Sequence, residues 1–258
     1  MAEFELIENL PFTLAPPASP RIGLVVLASD YTIEREFREL MARPDVPPTL
    51  ELFCSRIANA PNVTPDTLAA MGPSITESAE RILPGDKLDV LAYGCTSASM
   101  VLGPDVVNNF LLDAKPEAAT SNPASAAAAA MKALGAKRVA VLTPYRSDVN
   151  EIVRNGLEAL GLEIPVFGSF NEEMDPNVAR IDTASLKSGI STLIADHDVD
   201  AIFVSCTSIR LMANVEEIEK EIGLPVTSSN HAMAWHCLRQ AGVTNALPGL
   251  GHLYQLSL

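Results

Sequence analysis

One short sequence motif, called the phrase below, occurs twice in the chain. An apolar run that ends in Cys-Thr-Ser occurs in VLAYGCTSASM, residues 90–100, and again in IFVSCTSIRLM, residues 202–212. A second pair also matches: RIGLVVLASD, residues 21–30, and KRVAVLTPYRSD, residues 137–148, each end in Ser-Asp. The two pairs are separated by similar lengths of chain. The sequence therefore predicts two halves with the same structure.

Each half alternates apolar runs with amphipathic segments. RIGLVVL, LDVLAYG and VDAIFVS are continuous apolar runs, which is typical of strands covered on both faces of a parallel sheet. TIEREFRELMA has apolar residues at helical spacing, and TPDTLAAMGPSITESAERIL is predicted as one helix. We therefore predict an α/β fold with two pseudo-symmetric lobes. Each lobe is a parallel, doubly wound sheet flanked by helices, with the active site between the lobes.

The repeat also predicts where the lobes begin and end. Residues 1–20, which are Pro-rich near their end, form an N-terminal arm. Residues 21–118 together with 225–258 form the first lobe, and residues 119–224 form the second.

Composition excludes several classes of partner. The 258 residues carry a formal net charge of −14, which disfavours binding to nucleic acid or to an anionic membrane. The four cysteines have no CxxC spacing, so we expect no metal site. The acidic N-terminus lacks the features of a signal peptide, and we expect a cytoplasmic protein. Most soluble oligomers consist of identical subunits, and we expect a homo-oligomer here.

The repeated phrase carries the candidate chemistry. A thiol at a helix N-terminus has a lowered pKa, and we expect this for Cys95 and Cys206 if each begins a helix. Two thiols that face one substrate suit proton transfer beside a carboxylate, or thiolate attack with protonation from the opposite face. The residues that follow supply hydroxyl and N–H donors for a carboxylate: Thr96, Ser97, Thr207 and Ser208. Cys54 and Cys237 lack such neighbours and are interpreted as structural.

GCTS and SCTS in a duplicated α/β chain resemble the aspartate/glutamate racemase superfamily. RIGLVVLASD, TPYRSDVNE, NVARID and SCTSIRLM are most similar to its branch of maleate cis–trans isomerases and arylmalonate decarboxylases. The resemblance implies a cofactor-independent enzyme with one cysteine per lobe and a small carboxylate substrate. The presence of both cysteines is unlike the decarboxylase, which keeps only the second.

The resemblance also implies roles. Cys95 would add to the double bond of a maleate-like diacid, the C2–C3 bond would rotate, and the thiolate would leave. Cys206 would be the acid/base partner on the opposite face, and Tyr145 would contact a substrate carboxylate. Which cysteine is the nucleophile is not decided by the residues themselves.

One position departs from the branch. Maleate isomerases have an asparagine where this chain has Asp30, and an ionised Asp accepts hydrogen bonds but repels a carboxylate. Asp30 thus favours a substrate with a cationic group, as in a subgroup of ectoine-utilisation proteins; its alternative role is to cap the next helix. For the second-lobe asparagine of the family, Asn171, Asp175 and Asn177 compete, and we take Asn177 as the substrate-binding candidate.

Three functions follow. The leading one is maleate-like cis–trans isomerisation. The alternative within the same chemistry is a racemase or epimerase of an amino-acid derivative that uses two-thiol proton transfer. The alternative of another class is a non-catalytic small-molecule binding protein.

Overall fold

The computed structural model describes residues 4–60, 64–172 and 174–258. Within them lie two sheets of four parallel strands, with the same strand order in each. The first sheet has the order β2-β1-β3-β4, with β1 Arg21–Leu27, β2 Glu51–Ile57, β3 Val90–Gly94 and β4 Ala119–Ser121. The second has the order β6-β5-β7-β8, with β5 Arg138–Thr143, β6 Glu163–Ser169, β7 Ala201–Val204 and β8 Val226–Ser228. The predicted α/β fold with two lobes is confirmed.

Helices cover both sheets. In chain order they are α1 Ile33–Met41, α2 Pro65–Ala69, α3 Gly72–Glu80, α4 Thr96–Leu102, α5 Pro104–Ala114, α6 Pro123–Leu134, α7 Ser147–Ala159, α8 Asp175–Val178, α9 Thr183–Ile194, α10 Val215–Ile222 and α11 Ser229–Gln240. Short 3-10 helices span Met212–Asn214 and Leu253–Gln255. None of the helices in this described part of the chain is long and apolar enough to cross a lipid bilayer.

The helix predicted over TPDTLAAMGPSITESAERIL is wrong in one respect, because it is two helices. The first, α2, is capped by Thr64, whose hydroxyl accepts from the Thr67 N–H at 3.2 Å. The second, α3, begins at Gly72 with a proline in its first turn. Proline fits the first turn of a helix and interrupts the interior of one, so the chain breaks before it.

Two helices join the lobes. One face of α6 packs in the core of the second lobe through Ala127 and Met131, while Ala126 and Ala130 pack in the core of the first. Helix α11, which follows the last strand of the second sheet, is buried in the first lobe beside β3 and β4. Because alanine side chains are small, α6 lies close to both lobes, and the two lobes share a continuous apolar boundary.

Strand pairing differs from the predicted lobe limits by a few residues. Strand β4 pairs with β3, so the first sheet extends to Ser121 rather than ending at 118. Strand β8 pairs with β7, so the second sheet extends to Ser228 rather than ending at 224. The short last strand of each half belongs to the preceding sheet, and only the helix after it crosses to the other lobe. Of the predicted arm, residues 4–18 have no helix or strand, and 1–3 lie outside the described residues.

Candidate active site

A cavity lies at the carboxyl ends of the strands, between the two lobes. Cys95 follows β3 and Cys206 follows β7, and both phrases line this cavity. Its wall consists of Leu27, Asn59, Ala60, Thr67, Leu68, Met71, Cys95, Thr96, Ser97, Tyr145, Asp175, Cys206, Thr207 and Ser208. The empty space between these residues, including the part open to solvent, is about 450 Å³. Neither Lys nor Arg is among these described lining residues, so the cavity has no positive side chain in its wall.

Cys95 is the N-cap residue of α4, as the sequence predicts. Its Sγ lies 3.7 Å from the hydroxyl of Ser97. Its carbonyl accepts a 2.7 Å hydrogen bond from the Ser99 hydroxyl. Burial raises the pKa of the Cys95 thiol to about 11, although hydrogen bonds from the Ala98 N–H and the Ser97 hydroxyl act in the opposite direction. The expected lowering of the pKa by the helix N-terminus is therefore outweighed by loss of solvent.

Cys206 differs from Cys95 because no helix begins beside it. Residues 207 and 208 form a turn, and the nearest helical segment is the 3-10 helix at Met212. The Ser208 N–H donates to Cys206 Sγ at 3.4 Å. Burial raises the pKa of the thiol to about 12, and the Tyr145 hydroxyl beside it lowers the pKa by a smaller amount. The prediction of a helix-activated thiol is wrong for this residue.

The hydroxyls predicted to bind a carboxylate already have partners. Thr96 Oγ1 donates to Ser229 Oγ at 2.8 Å, which joins α4 to the start of α11. Ser208 Oγ donates to Asp175 Oδ1 at 2.9 Å. Thr207 and Ser97 are buried in the wall of the cavity. A ligand carboxylate must therefore compete for the Ser208 hydroxyl with a carboxylate of the protein.

Asp30 is not a lining residue of the cavity. It is buried, and its Oδ1 accepts from the Thr32 N–H at 2.7 Å and the Ile33 N–H at 2.8 Å, at the start of α1. Its Oδ2 has no hydrogen-bond partner within the described structure. Burial raises the pKa of Asp30 to about 6, against the effect of the two amides and of the nearby Thr207 hydroxyl. The structure thus gives Asp30 the capping role that the sequence offered as its alternative.

Of the three candidates in the second lobe, only Asp175 lines the cavity. Its carboxylate accepts hydrogen bonds from the hydroxyls of Ser29 and Ser208, so it links the two lobes. Asn177 is exposed and donates to Glu172 at 3.1 Å. Asn171 is also exposed, with a positive φ of 54°. Asp175 begins α8, and two residues further along a helix the side chain points to the opposite side, which is why Asn177 faces away.

Two polar residues near the site, Asn59 and Glu36, were not predicted from the sequence. Asn59 donates to the hydroxyl of Ser29 at 2.9 Å, which extends the link from Asp175 into the first lobe. Glu36 is buried on α1 and accepts hydrogen bonds from backbone amides of the chain after Cys206. A signal existed for Glu36, because it lies on the apolar stripe formed by Ile33, Phe37 and Leu40. Within the described residues, no group of three metal-ligating side chains is present.

Together, fold and site define a two-lobed α/β protein with one cysteine from each lobe at a shared cavity. The model of the arylmalonate decarboxylase family matches residues 53–254. Maleate isomerase of Nocardia farcinica is 32% identical over 242 residues, 90% of this chain and 94% of that protein. Arylmalonate decarboxylase of Bordetella bronchiseptica is 30% identical over 246 residues, 93% of this chain and 98% of that protein. The chain belongs to this family of arylmalonate decarboxylases and maleate isomerases, as the resemblance indicates.

A solved structure adds chemical information about a relative. It is that of N. farcinica maleate cis–trans isomerase with one cysteine replaced by serine, and it contains a covalently bound succinylcysteine intermediate. The TM-score is 0.81 and the identity 28%, over 91% of this chain and 98% of that one. A cysteine of that relative therefore forms a covalent bond to a four-carbon diacid.

Proposed function

We propose that the protein is a cofactor-independent isomerase that uses Cys95 and Cys206 on a small carboxylate, with cis–trans isomerisation of a maleate-like diacid as the leading reaction. One observation carries the proposal: a cysteine from each lobe lines the same cavity. The family supports it, since a relative with this fold forms a succinylcysteine intermediate. The two thiols have different surroundings, which suits two different roles.

In the proposed reaction, the Cys95 thiolate adds to one olefinic carbon, and the π electrons move to the other carbon, where the carboxylate attached to it delocalises the charge. The Cys206 thiol gives a proton to the other carbon, which leaves a single bond that can rotate. Cys206 then removes that proton, the C–S bond breaks, and the double bond re-forms in the trans geometry. Because burial raises the pKa of both thiols, Cys95 reacts only after its proton has passed to bulk water as the substrate binds, and cleavage of the C–S bond restores the thiolate at the end of the cycle. Thr96, Ser97, Thr207, Ser208 and Tyr145 are the proposed carboxylate contacts.

A trapping experiment tests the roles of the thiols. The Cys206→Ser variant is incubated with maleate, and the protein is analysed by intact and peptide mass spectrometry. We expect an adduct with the added mass of maleic acid on Cys95, and none in the matched Cys95→Ser variant. An adduct on Cys206 alone would exchange the proposed roles, and the absence of an adduct from both variants would contradict covalent catalysis.

A second candidate function is favoured by charge. Asp175 is a carboxylate in the wall of the cavity, Asp30 is buried next to Thr207, and no lining residue is cationic. Such a site repels a dianion and fits a substrate that carries an ammonium beside its carboxylate. Racemisation or epimerisation of an amino-acid derivative needs the same two thiols. Incubation with a panel of such derivatives in D2O tests it by deuterium incorporation at the α-carbon.

The non-catalytic binding protein is the remaining alternative. Such a protein would bind a small carboxylate at this cavity and return it unchanged, whereas both enzyme hypotheses require turnover that depends on the thiols. A cytoplasmic location and a homo-oligomeric state remain predictions; sedimentation velocity of the purified chain measures the second.

A further inference from the structure

A buried carboxylate outside the cavity accepts hydrogen bonds from the segment that follows the second cysteine. Glu36 lies on α1 in the first lobe and is 2% exposed. Its Oε1 accepts from the N–H groups of Leu211 and Met212, each at 2.9 Å. Its Oε2 accepts from Asn230 Nδ2 at 2.8 Å. A carboxylate so deeply buried is costly unless it is hydrogen bonded; these three hydrogen bonds offset part of that cost, and burial still raises the pKa of Glu36 to about 7.

The Asn230 side chain extends this contact toward Cys206. Its Nδ2 also donates to the carbonyl of Thr207 at 2.8 Å. Because ionised Glu36 can only accept, it requires the amide to present its nitrogen, and the same nitrogen then reaches Thr207. Oδ1 of Asn230 has no partner in the described structure, so its orientation is set by the nitrogen alone.

A third contact comes from the start of α1. Thr32 Oγ1 donates to the carbonyl of Ser208 at 2.8 Å. The first lobe therefore contacts the segment at the carbonyls of Thr207 and Ser208 and at the amides of Leu211 and Met212.

The two cysteines differ in what orders them. Cys95 precedes α4, and the backbone of that helix orders the chain around it. Cys206 precedes a turn without a helix of its own. Hydrogen bonds from the first lobe reach this turn and the residues after it instead.

We propose that Glu36 is a positioning residue: through Asn230 and the amides after Cys206, it orients the Cys206 turn toward the cavity. The inference relies on the proposed function only for the use of Cys206 in turnover. A misplacement of about 1 Å at a reacting group can cost about a hundredfold in rate. We therefore expect that loss of the hydrogen bonds of Glu36 slows the reaction in a protein that still folds.

The test uses Glu36→Gln, Asn230→Ala and a matched control, Glu39→Gln, which alters an exposed carboxylate on the same helix. Gln keeps the size of Glu, but its amide nitrogen faces Asn230 and forces that side chain to turn from Thr207. Iodoacetamide modification of Cys206 and Cys95 is followed in the same sample by peptide mass spectrometry. Cys95 serves as the internal standard, so this readout requires no substrate and is independent of the proposed reaction.

We expect the Cys206/Cys95 rate ratio to change severalfold in Glu36→Gln and in Asn230→Ala, and to stay at the parent value in Glu39→Gln. With a turned-over substrate, kcat should fall roughly 10- to 100-fold while KM changes much less. Because the two variants break one linkage, the double variant should be no worse than the more affected single one. An unchanged ratio in a folded Asn230→Ala or Glu36→Gln protein would overturn the proposal. A changed ratio without any turnover of maleate would support it and count against the isomerase function alone.

Discussion

The hydroxyl of Ser208 donates a 2.9 Å hydrogen bond to Oδ1 of Asp175 inside the cavity that both cysteines line. The other oxygen of Asp175 accepts from Ser29 in the first lobe. A carboxylate of the protein thus occupies donors that could otherwise hold a carboxylate of the substrate, and it adds negative charge beside the thiols. The charge of Asp175 also raises the pKa of Cys95 and Cys206, after the larger effect of burial.

Replacement of Asp175 by asparagine should improve the binding of a dianion. The amide keeps the size and can still accept from Ser208, but it removes one negative charge from the cavity wall. We expect KM for maleate to fall several-fold. The matched control is Asn177→Ala, which alters an exposed side chain of the same helix and should leave KM unchanged. A rise in KM, or loss of turnover on every substrate, would show that the carboxylate itself takes part in the reaction.

Each cysteine variant should lose turnover while keeping the fold. Serine has nearly the volume of cysteine but is a much weaker nucleophile and acid near neutral pH. Steady-state kinetics on Cys95→Ser and Cys206→Ser should show a decrease of at least about a hundredfold in each. Cys54→Ser, which alters a half-buried cysteine on β2, is the control and should remain active. Near-normal turnover in either site variant would exclude a mechanism that needs both thiols.

Alkylation of the site cysteines should depend steeply on pH. The thiolate is the reactive form, and burial raises the pKa of Cys95 to about 11 and that of Cys206 to about 12. Below these values the modification rate should rise about tenfold per pH unit, from about pH 7 to about pH 10. Peptide mass spectrometry resolves the sites, since the pKa of Cys54 is also raised by burial. A plateau near neutral pH would mean that one thiol is ionised in the free protein.

Much of this architecture follows from local patterns. The apolar runs predict both sheets, and the repeated phrase places Cys95 and Cys206 at equivalent strand ends. These features depend on residues close together in sequence. The position of Asn177 on the outer side of α8 depends on where that short helix begins, which spacing alone did not determine.

Other properties depend on tertiary burial. The thiol pKa values rise because the surrounding lobes exclude water, an effect that the helix argument for Cys95 could not include. Glu36 in the other lobe accepts hydrogen bonds from the chain after Cys206, and it lies 175 residues before the first of these donors, Leu211. Contacts over such a distance in sequence depend on the whole fold. The repeated Cys-Thr-Ser sequence, which is local, therefore wrongly suggested that a helix begins after both cysteines.

Asp30→Asn should change how stability depends on pH. Burial raises the pKa of Asp30 from 3.8 to about 6, so between these values the folded protein binds more protons than the unfolded chain. The contribution of Asp30 to the free energy of unfolding therefore falls as pH rises through this window, by up to about 3 kcal/mol. Asparagine can accept hydrogen bonds from the same two backbone amides without ionising. Urea unfolding should show the variant gaining stability relative to the parent from about pH 4 to about pH 8.

The control for this stability measurement is Glu39→Gln, in which an exposed carboxyl is removed from the neighbouring helix. Its stability relative to the parent should be nearly constant over the same range. If Asp30→Asn shows equally constant relative stability, Asp30 does not have the raised pKa that its burial implies.

Use of Cys95 in the isomerisation of maleate is tested by proton NMR of the purified protein with maleate, in parallel with the Cys95→Ser variant. We expect the vinyl signal of maleate to be replaced by that of fumarate with the parent protein and to persist with the variant. A maleate signal that persists in both samples would contradict the leading function. Conversion that continues in Cys95→Ser would contradict the role of the first-lobe thiol.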